Sequence, residues 1–348
     1  MSPISSKPPE RAIFAADGRI LGVEYDSKRA LVTVIRPNGA PLHAEEKPVR
    51  GRSRDVLLKD LEEVLRDALR QTKDRGGPLL GIGVASPGLI DPVAGVCRTY
   101  TLVPGFQDVP LRDRLAKTFG VPVVVDHDVV ALTTAEKECG AARGVPDFIC
   151  LIVRAGVGLG MVAAGRVIRG ATNNAGEFGL TAVGLPGSAH PARFQEGACE
   201  DRLLEAAAAL LKKKKAPALA RHVHQDGEGP TPDQILRAAH EKDAAVRKAV
   251  HDWGRGLGWG IGNLVNLLNP RTVVLHGRFF ADRDEALFPA IEEGLRETAL
   301  PKLLEIVNLF PSPLGLYGGA LGGALMARDR LAAGPAKPEE NAVGPPVA

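Results

Sequence analysis

Hydrophobic positions recur along the chain with two periods. Ile20–Tyr25, Ala30–Arg36 and Pro41–Lys47 are short runs rich in β-branched or alternating apolar residues. They predict three strands joined by turns at 26–29 and 37–39. From Ser53 to Asp74 the period changes: Val56, Leu57, Leu61, Val64, Leu65 and Leu69 fall at helical spacing behind a Ser cap. Leu79–Val84 predicts a strand, residues 86–109 a loop rich in Pro and Gly, and Leu111–Phe119 a short helix. Val123–Val125 then reads as a buried parallel strand running into the helix-like DVVALTTAE. Asp128 stands where that strand ends, and open α/β sheets bind ligands outside the carboxyl ends of their strands. A carboxylate there can take a proton from a substrate hydroxyl. It can equally serve as a helix N-cap, and on this stretch alone the cap is the simpler reading.

The same grammar then repeats. Phe148–Val153 and Gly158–Ala163 predict hairpin strands around the turn RAGVGLG, followed by a loop carrying AGEFG. Ala198–Lys215 predicts a helix, His222–Pro230 a polar break, and Thr231–Leu268 two further helices. Thr272–Leu275 and Leu303–Leu309 predict strands, with helices at Leu287–Thr298 and Leu316–Ala332. Two α/β lobes of related build follow, with a ligand cleft expected between them. The expected division is a flexible arm over 1–19, a first lobe over 20–127 plus 315–332, a second over 128–314, and a disordered low-complexity tail over 333–348.

Composition narrows the function. At 348 residues the chain can hold two cores. Aromatic residues are only 4%, which argues against stacking platforms for single-stranded nucleic acid. The net charge of +3 has both signs interspersed, so no basic face points to nucleic acid. Cys97, Cys139, Cys150 and Cys199 follow no pairing or CxxC spacing, as expected of a reducing compartment without a disulfide framework. The N-terminus lacks the apolar core of a signal peptide, and no apolar run is long enough for a membrane span. A cytoplasmic protein is expected.

Seven segments in order resemble the ROK family of sugar kinases and sugar-responsive repressors. They are GIGVASPGLIDPVAGV (81–96), VPGFQDVPL (103–111), VVVDHDVVAL (123–132), GAARGV (140–145), RAGVGLGMVAAGRVIRGATNNAGEFG (154–179), NLVNLLNPRTVVLHG (263–277) and GLYGGALGGALM (315–326). The resemblance runs from about residue 20 to 330. It implies an actin-like ATPase fold with two ribonuclease-H-like lobes, and a homodimer or higher homo-oligomer.

The resemblance also assigns roles. Asp128 matches the general base that takes the sugar hydroxyl proton as the γ-phosphoryl arrives. Glu177 and Glu200 match glutamates that grip sugar hydroxyls, a task suited to acceptor-only carboxylates. For Glu200 the plainer alternative is a first-turn glutamate favourable to the helix dipole. His127 stands where kinases of the family usually carry a sugar-binding Asn, with a half-exposed surface histidine as the alternative. Gly156, Gly158, Gly160 and Gly277 match the nucleotide-binding segments, although glycines at 156–160 can also serve the hairpin alone.

The departures from the family pattern are as informative. The family's zinc set, a His after GE-x-G and then CxCGxxGC, is reduced here to Leu180, His190 and Cys199, so zinc is not expected. The first phosphate loop has no glycine in its turn, where Glu24, Asp26 and Lys28 would share one face if strand geometry persisted. The alternative there is a solvated turn with a local Asp/Lys pair. Ala155 replaces a Thr of the second phosphate loop, while His276 and Arg278 replace glycines beside Gly277. The sequence reading is therefore a sugar-binding, regulatory protein with a degenerate ATP site and no DNA-reading element in this chain. The alternative is a kinase that uses ATP and Mg2+ with Asp128 as base. With His127 and Leu180 altered, the sugar itself is not specified.

Overall fold

The computed structural model describes residues 17–183, 192–223, 229–241 and 243–334. The expected arm and tail fall mostly outside these residues, as does His190. The chain divides into two compact units, Met1–Asp126 with Ala320–Ala348, and His127–Gly319.

In the first unit, β1 (Arg19–Tyr25), β2 (Arg29–Ile35) and β3 (Pro41–Pro48) form an antiparallel meander. Helix α1 (Arg54–Gln71) follows, then β4 (Leu79–Ser86), which pairs parallel to β1. The segment 86–109, expected as loop, contains a small three-stranded sheet of β5 (Leu89–Asp91), β6 (Val96–Thr99) and β7 (Gln107–Val109). Strands of three or four residues interrupted by Gly and Pro carry too few periods to show in a sequence. Helix α2 (Leu111–Phe119) leads to β8 (Val123–His127), and the main sheet has the order β3-β2-β1-β4-β8. Its core joins Leu57, Leu61 and Leu65 of α1 to Val23, Val32 and Val84 of the sheet.

The second unit repeats this plan. Helix α3 (Asp128–Cys139) starts directly from β8, and β9 (Phe148–Val153), β10 (Val157–Ala163) and β11 (Arg166–Val167) form an antiparallel meander. A short ribbon of β12 (Ala182–Val183) and β13 (Ala192–Arg193) precedes α4 (Gln195–Ala198) and α5 (Glu200–Lys212). Next come α6 (Pro217–His222), α7 (Pro232–His240), the long α8 (Ala244–Leu268) and β14 (Thr272–His276). Helix α9 (Leu287–Thr298), one turn of helix α10 (Pro301–Leu304) and β15 (Asn308–Pro311) follow, and helix α11 (Gly318–Ala332) belongs from Ala320 onward to the first unit. The strand expected at Leu303–Leu309 thus begins only at Asn308, because Pro301 opens a helical turn in front of it.

The second sheet has the order β11-β10-β9-β14-β15, with β14 parallel to both β9 and β15. Alternate residues of β9 serve opposite cores. Ile149, Leu151 and Val153 face the cluster built on α8 and α9, while Phe148, Cys150 and Ile152 face α3. In the α8–α9 cluster Leu257, Ile261, Phe288 and Ile291 are all buried, each contributing about 1.5–3 kcal/mol over an exposed position.

Candidate functional site

All the candidate site residues lie in the second unit, gathered around the first residues of α3, the start of β10, and the carboxyl ends of β9 and β14. Asp128 is the first residue of α3, and His127, not Asp128, holds the N-cap position. Asp128 Oδ1 accepts the Val129 backbone N–H at 2.8 Å and lies 3.1 Å from His127 Nδ1. His127 Nδ1 is also 3.3 Å from Val129 N. That nitrogen can accept from Val129 only when unprotonated, and donate to Asp128 only when protonated. Both side chains are about one-fifth exposed, at 20% and 22%. Asp128 Oδ2 has no partner among the described residues, so the carboxylate is anchored by one oxygen and presents the other.

Glu177 is exposed and precedes the helical turn Phe178–Leu180. Its carboxylate has no partner among the described residues. The loop holding it is fixed to the sheet: Leu159 N donates to Gly176 O at 3.0 Å, and a Cβ on Gly176 would come within 2.0 Å of Leu159 O. Gly176 has φ 107°, a conformation that glycine adopts without strain. Val129 packs against the neighbouring strand position Gly158, so Asp128 and Glu177 attach beside adjacent residues of β10, Gly158 and Leu159.

Glu200 is buried at the start of α5. Its Oε1 accepts the Arg278 backbone N–H at 2.5 Å and its Oε2 accepts Arg278 Nε at 2.7 Å. Its own N–H donates to Arg154 O at 2.9 Å. Both carboxylate oxygens expected to grip a sugar are engaged by Arg278. Glu200 thereby ties the loop after β9 to the loop after β14.

Arg154 Nη2 lies 2.9 Å from His276 Nε2. A guanidinium only donates, so His276 accepts through Nε2 and carries its proton on Nδ1. Burial, reinforced by the Arg154 charge, pushes the His276 pKa down to about 3. Gly277 has φ 154°, and a Cβ there would meet Val153 O at 2.2 Å and Glu200 Oε1 at 2.8 Å. The loops after β9 and β14 therefore abut at a position that only glycine fills.

The glycines of the second phosphate loop serve packing. A Cβ on Gly158 would come within 2.6 Å of Val129 Cγ2, and one on Gly160 within 1.7 Å of Thr133 Oγ1. They let α3 lie directly on β10. In the first unit, Glu24, Asp26 and Lys28 do not share a face as one strand. β1 ends at Tyr25, Glu24 is buried, and Asp26 Oδ1 accepts the N–H groups of Lys28 and Arg29 at 2.6 and 2.9 Å. Asp26 forms a local turn of the kind short acceptor side chains favour, and its ion pair is with Arg29 rather than Lys28. Among the described residues no cluster of three or more His, Cys, Asp or Glu could hold a metal ion. Leu180 is exposed.

The comparisons with known proteins give the family and the fold. The ROK family profile matches residues 20–330. The chain belongs to the ROK family. It is 29% identical over 322 residues to a glucokinase of Halalkalibacterium halodurans, covering 90% of this chain and 96% of that protein. It is 28% identical over 307 residues to a xylose repressor of Caldicellulosiruptor bescii, covering 84% of this chain and 70% of that protein. A solved ROK family glucokinase from Streptomyces griseus, in complex with glucose and AMPPNP, superposes with a TM-score of 0.77 at 20% identity, covering 90% of this chain and all of that one. ROK relatives of this chain thus include both kinases and repressors, and its fold is the actin-like ATPase fold of the sugar kinases. Among the described residues no helix is long and apolar enough to cross a membrane.

Sequence reasoning named Asp128 and Glu177 through their motifs, did not single out Arg154, and treated Arg278 only as a lost glycine. The available signal was a charge closing a wholly apolar strand, FICLIV followed by Arg154.

Proposed function

We propose that this ROK protein binds a sugar through Asp128 and Glu177 and works as a sensor rather than a kinase. One observation carries the reading. These two carboxylates keep oxygens without partners among the described residues, whereas the positions that would serve a nucleotide are already committed to the fold. Gly158 and Gly160 are filled by Val129 and Thr133, Ala155 offers no hydroxyl, and Asp26 is taken up by its own turn. Arg278, paired to Glu200, stands beside Gly277, where the resemblance to the family's kinases implies a further glycine. These residues do not fit ATP. The sugar hydroxyls would donate to Asp128 Oδ2 and to Glu177, with His127 holding the other oxygen of Asp128.

The kinase reading keeps one specific support. Asp128 sits at a strand end with a free acceptor oxygen, as a general base requires. An assay of ADP release with a panel of hexoses, N-acetylhexosamines and xylose separates the two, run beside thermal shift with each sugar and with Mg-ATP. A sensor is stabilised by a sugar, gains nothing from Mg-ATP, and loses at least tenfold in sugar affinity in Asp128→Asn. Asn is as good a residue as Asp near a helix start, so this variant retains α3. Sugar-dependent ADP release that disappears in Asp128→Asn would make the protein a kinase.

A further inference from the structure

Strand β15 closes one edge of the second sheet, with β14 as its inner neighbour. In that parallel pair Asn308 N donates to Arg271 O at 3.1 Å, and Ser312 N to Leu275 O at 2.8 Å. Successive residues turn their backbone groups to opposite sides, so Leu309 and Pro311 turn theirs away from β14. An added peptide strand would need those groups. Arg283 Nη1 already donates to Leu309 O at 2.8 Å, and Pro311 has no N–H. The edge is closed to a strand.

Beside it, between β15, α10 and α9, lies a cavity of about 520 Å³, a volume that suits a small organic molecule. Its apolar lining is Leu295, Leu304, Val307, Leu309 and Phe310. Leu295 and Leu309 belong to the core, whereas Leu304 and Val307 are half-buried and Phe310 is 42% exposed. The charged part of the lining is unbalanced. Arg283 Nη2 donates to Glu292 Oε1, and Arg296 Nη2 donates to Glu292 Oε2 at 3.0 Å. Two guanidinium groups thus share one carboxylate, and both of its oxygens are engaged. Arg283 is held in place by Leu309 O, by Glu292 and by the Phe288 ring, 4.8 Å beneath its Cζ. Arg296 has no partner for Nε or Nη1 among the described residues, and its side chain is 63% exposed. A guanidinium anchored through one nitrogen keeps donors for an oxyanion.

We propose that this cavity is a second ligand site and that it takes a small organic carboxylate with an apolar, aromatic or branched aliphatic, body. The carboxylate would meet Arg296 beside Arg283, and the body would lie on Leu304, Val307 and Phe310. Both halves are required: an inorganic anion leaves the apolar wall uncovered, and a neutral hydrocarbon leaves the excess cation without a counter-charge. Asp128, Glu177 and Glu200 do not line this cavity, so the site stands independently of the sugar-binding reading.

The experiment uses the full chain and anilinonaphthalene sulfonate, an anionic dye whose fluorescence rises in apolar surroundings. Naphthoate, its neutral counterpart naphthalenemethanol, and inorganic phosphate are titrated against the bound dye, with calorimetry as a direct measure. Naphthoate should displace the dye and bind at least tenfold tighter than naphthalenemethanol, while inorganic phosphate leaves the dye in place. In Arg296→Gln the preference for naphthoate should fall to near one, and Arg296→Lys should retain part of it. Arg296 is exposed and its ion pair is the i,i+4 contact with Glu292, so either variant keeps α9 folded. Asn308, a further residue of the lining, is exposed on β15. Asn308→Trp sets an indole at the rim, where a strand accepts an aromatic side chain, and should abolish naphthoate binding.

The proposal is overturned if naphthalenemethanol binds as tightly as naphthoate, or if Arg296→Gln keeps the preference. It is equally overturned if naphthoate still binds a cooperatively melting Asn308→Trp chain, or does not bind the wild-type chain at millimolar concentration. These outcomes leave the sugar reading untouched, since that reading is tested by ADP release and by stabilisation with sugar.

Discussion

At the residue scale, two of the titratable groups buried in the second unit, His276 and Glu136, have opposite consequences. His276 has a folded pKa of about 3 against 6.5 for an ordinary histidine. A depressed histidine pKa means the unfolded chain binds more protons between those values, so stability falls as pH drops from 6.5 towards 3. The loss is on the order of 3 kcal/mol by pH 4, at about 1.4 kcal/mol per unit. His276→Gln keeps an acceptor for Arg154 and cannot titrate. Its urea midpoint should therefore fall less than the wild-type midpoint between pH 6.5 and 4, and parallel curves would refute the assignment. Glu136 behaves oppositely. It is fully buried, and burial raises its pKa against hydrogen bonds from Ser312 Oγ and from Ala141 N at 2.8 Å. A raised carboxyl pKa favours folding at low pH and costs stability as pH rises through it. Glu136→Gln can hold both partners, its carbonyl accepting from Ala141 N–H and its amide donating to Ser312 Oγ, so it should gain on wild type as pH rises from 4.5 to 8. Glu136→Leu leaves both partners unsatisfied and should lose about 1–3 kcal/mol per group at any pH in that range. Neither pairing was legible in the sequence. Glu136 and Ser312 are 176 positions apart, and Glu200 and Arg278 are 78 apart. Motifs identify residue types at short spacing and say nothing about which distant side chain arrives to occupy them.

At the element scale, α8 and α9 pack backbone to backbone through glycine. A Cβ on Gly258 would come within 2.1 Å of Ile291 O, and one on Gly294 within 2.0 Å of Arg255 O. Neither carbonyl can move without displacing its helix. Gly258→Ala and Gly294→Ala should each cost about 1–3 kcal/mol or more, seen as a lower urea midpoint. Gly256 lies in the same helix, and a Cβ there meets nothing within 4 Å. Gly256→Ala should stabilise by about 0.5–1 kcal/mol through helix propensity alone. Equal effects at 256 and 258 would show that close packing is not what selects glycine there. Element existence was well marked in the sequence wherever the apolar period ran for ten residues or more, as in α1, α8 and α9. It failed for β5 to β7, and β15 was displaced, because a strand of three or four residues offers two alternations and a nearby Pro or Gly hides them. The glycines at 158 and 160 misled for a related reason. A Gly-rich turn has the same letters whether its backbone approaches a phosphate or a helix, and only α3 lying on β10 distinguishes the two.

At the scale of the whole molecule, both tryptophans, Trp253 and Trp259, belong to the second unit, as do Asp128 and Glu177. Tryptophan fluorescence therefore follows the unfolding of the unit that carries the proposed sugar site, while circular dichroism follows the helices of both. A ligand that binds only the folded form stabilises by RT ln(1 + [L]/Kd), about 2.7 kcal/mol at a hundredfold excess over Kd. Sugar at a hundredfold excess over Kd should raise the fluorescence-detected urea midpoint by that stabilisation divided by the m-value, and Mg-ATP at millimolar concentration should leave it in place. The same titration in Asp128→Asn should need at least tenfold more sugar for the same shift. A Mg-ATP shift as large as the sugar's would mean that the packed glycines of β10 and the Arg278–Glu200 pair leave room for a nucleotide. The protein would then have to be regarded as a kinase whose phosphate loops have been rebuilt, and Asp128 as its base.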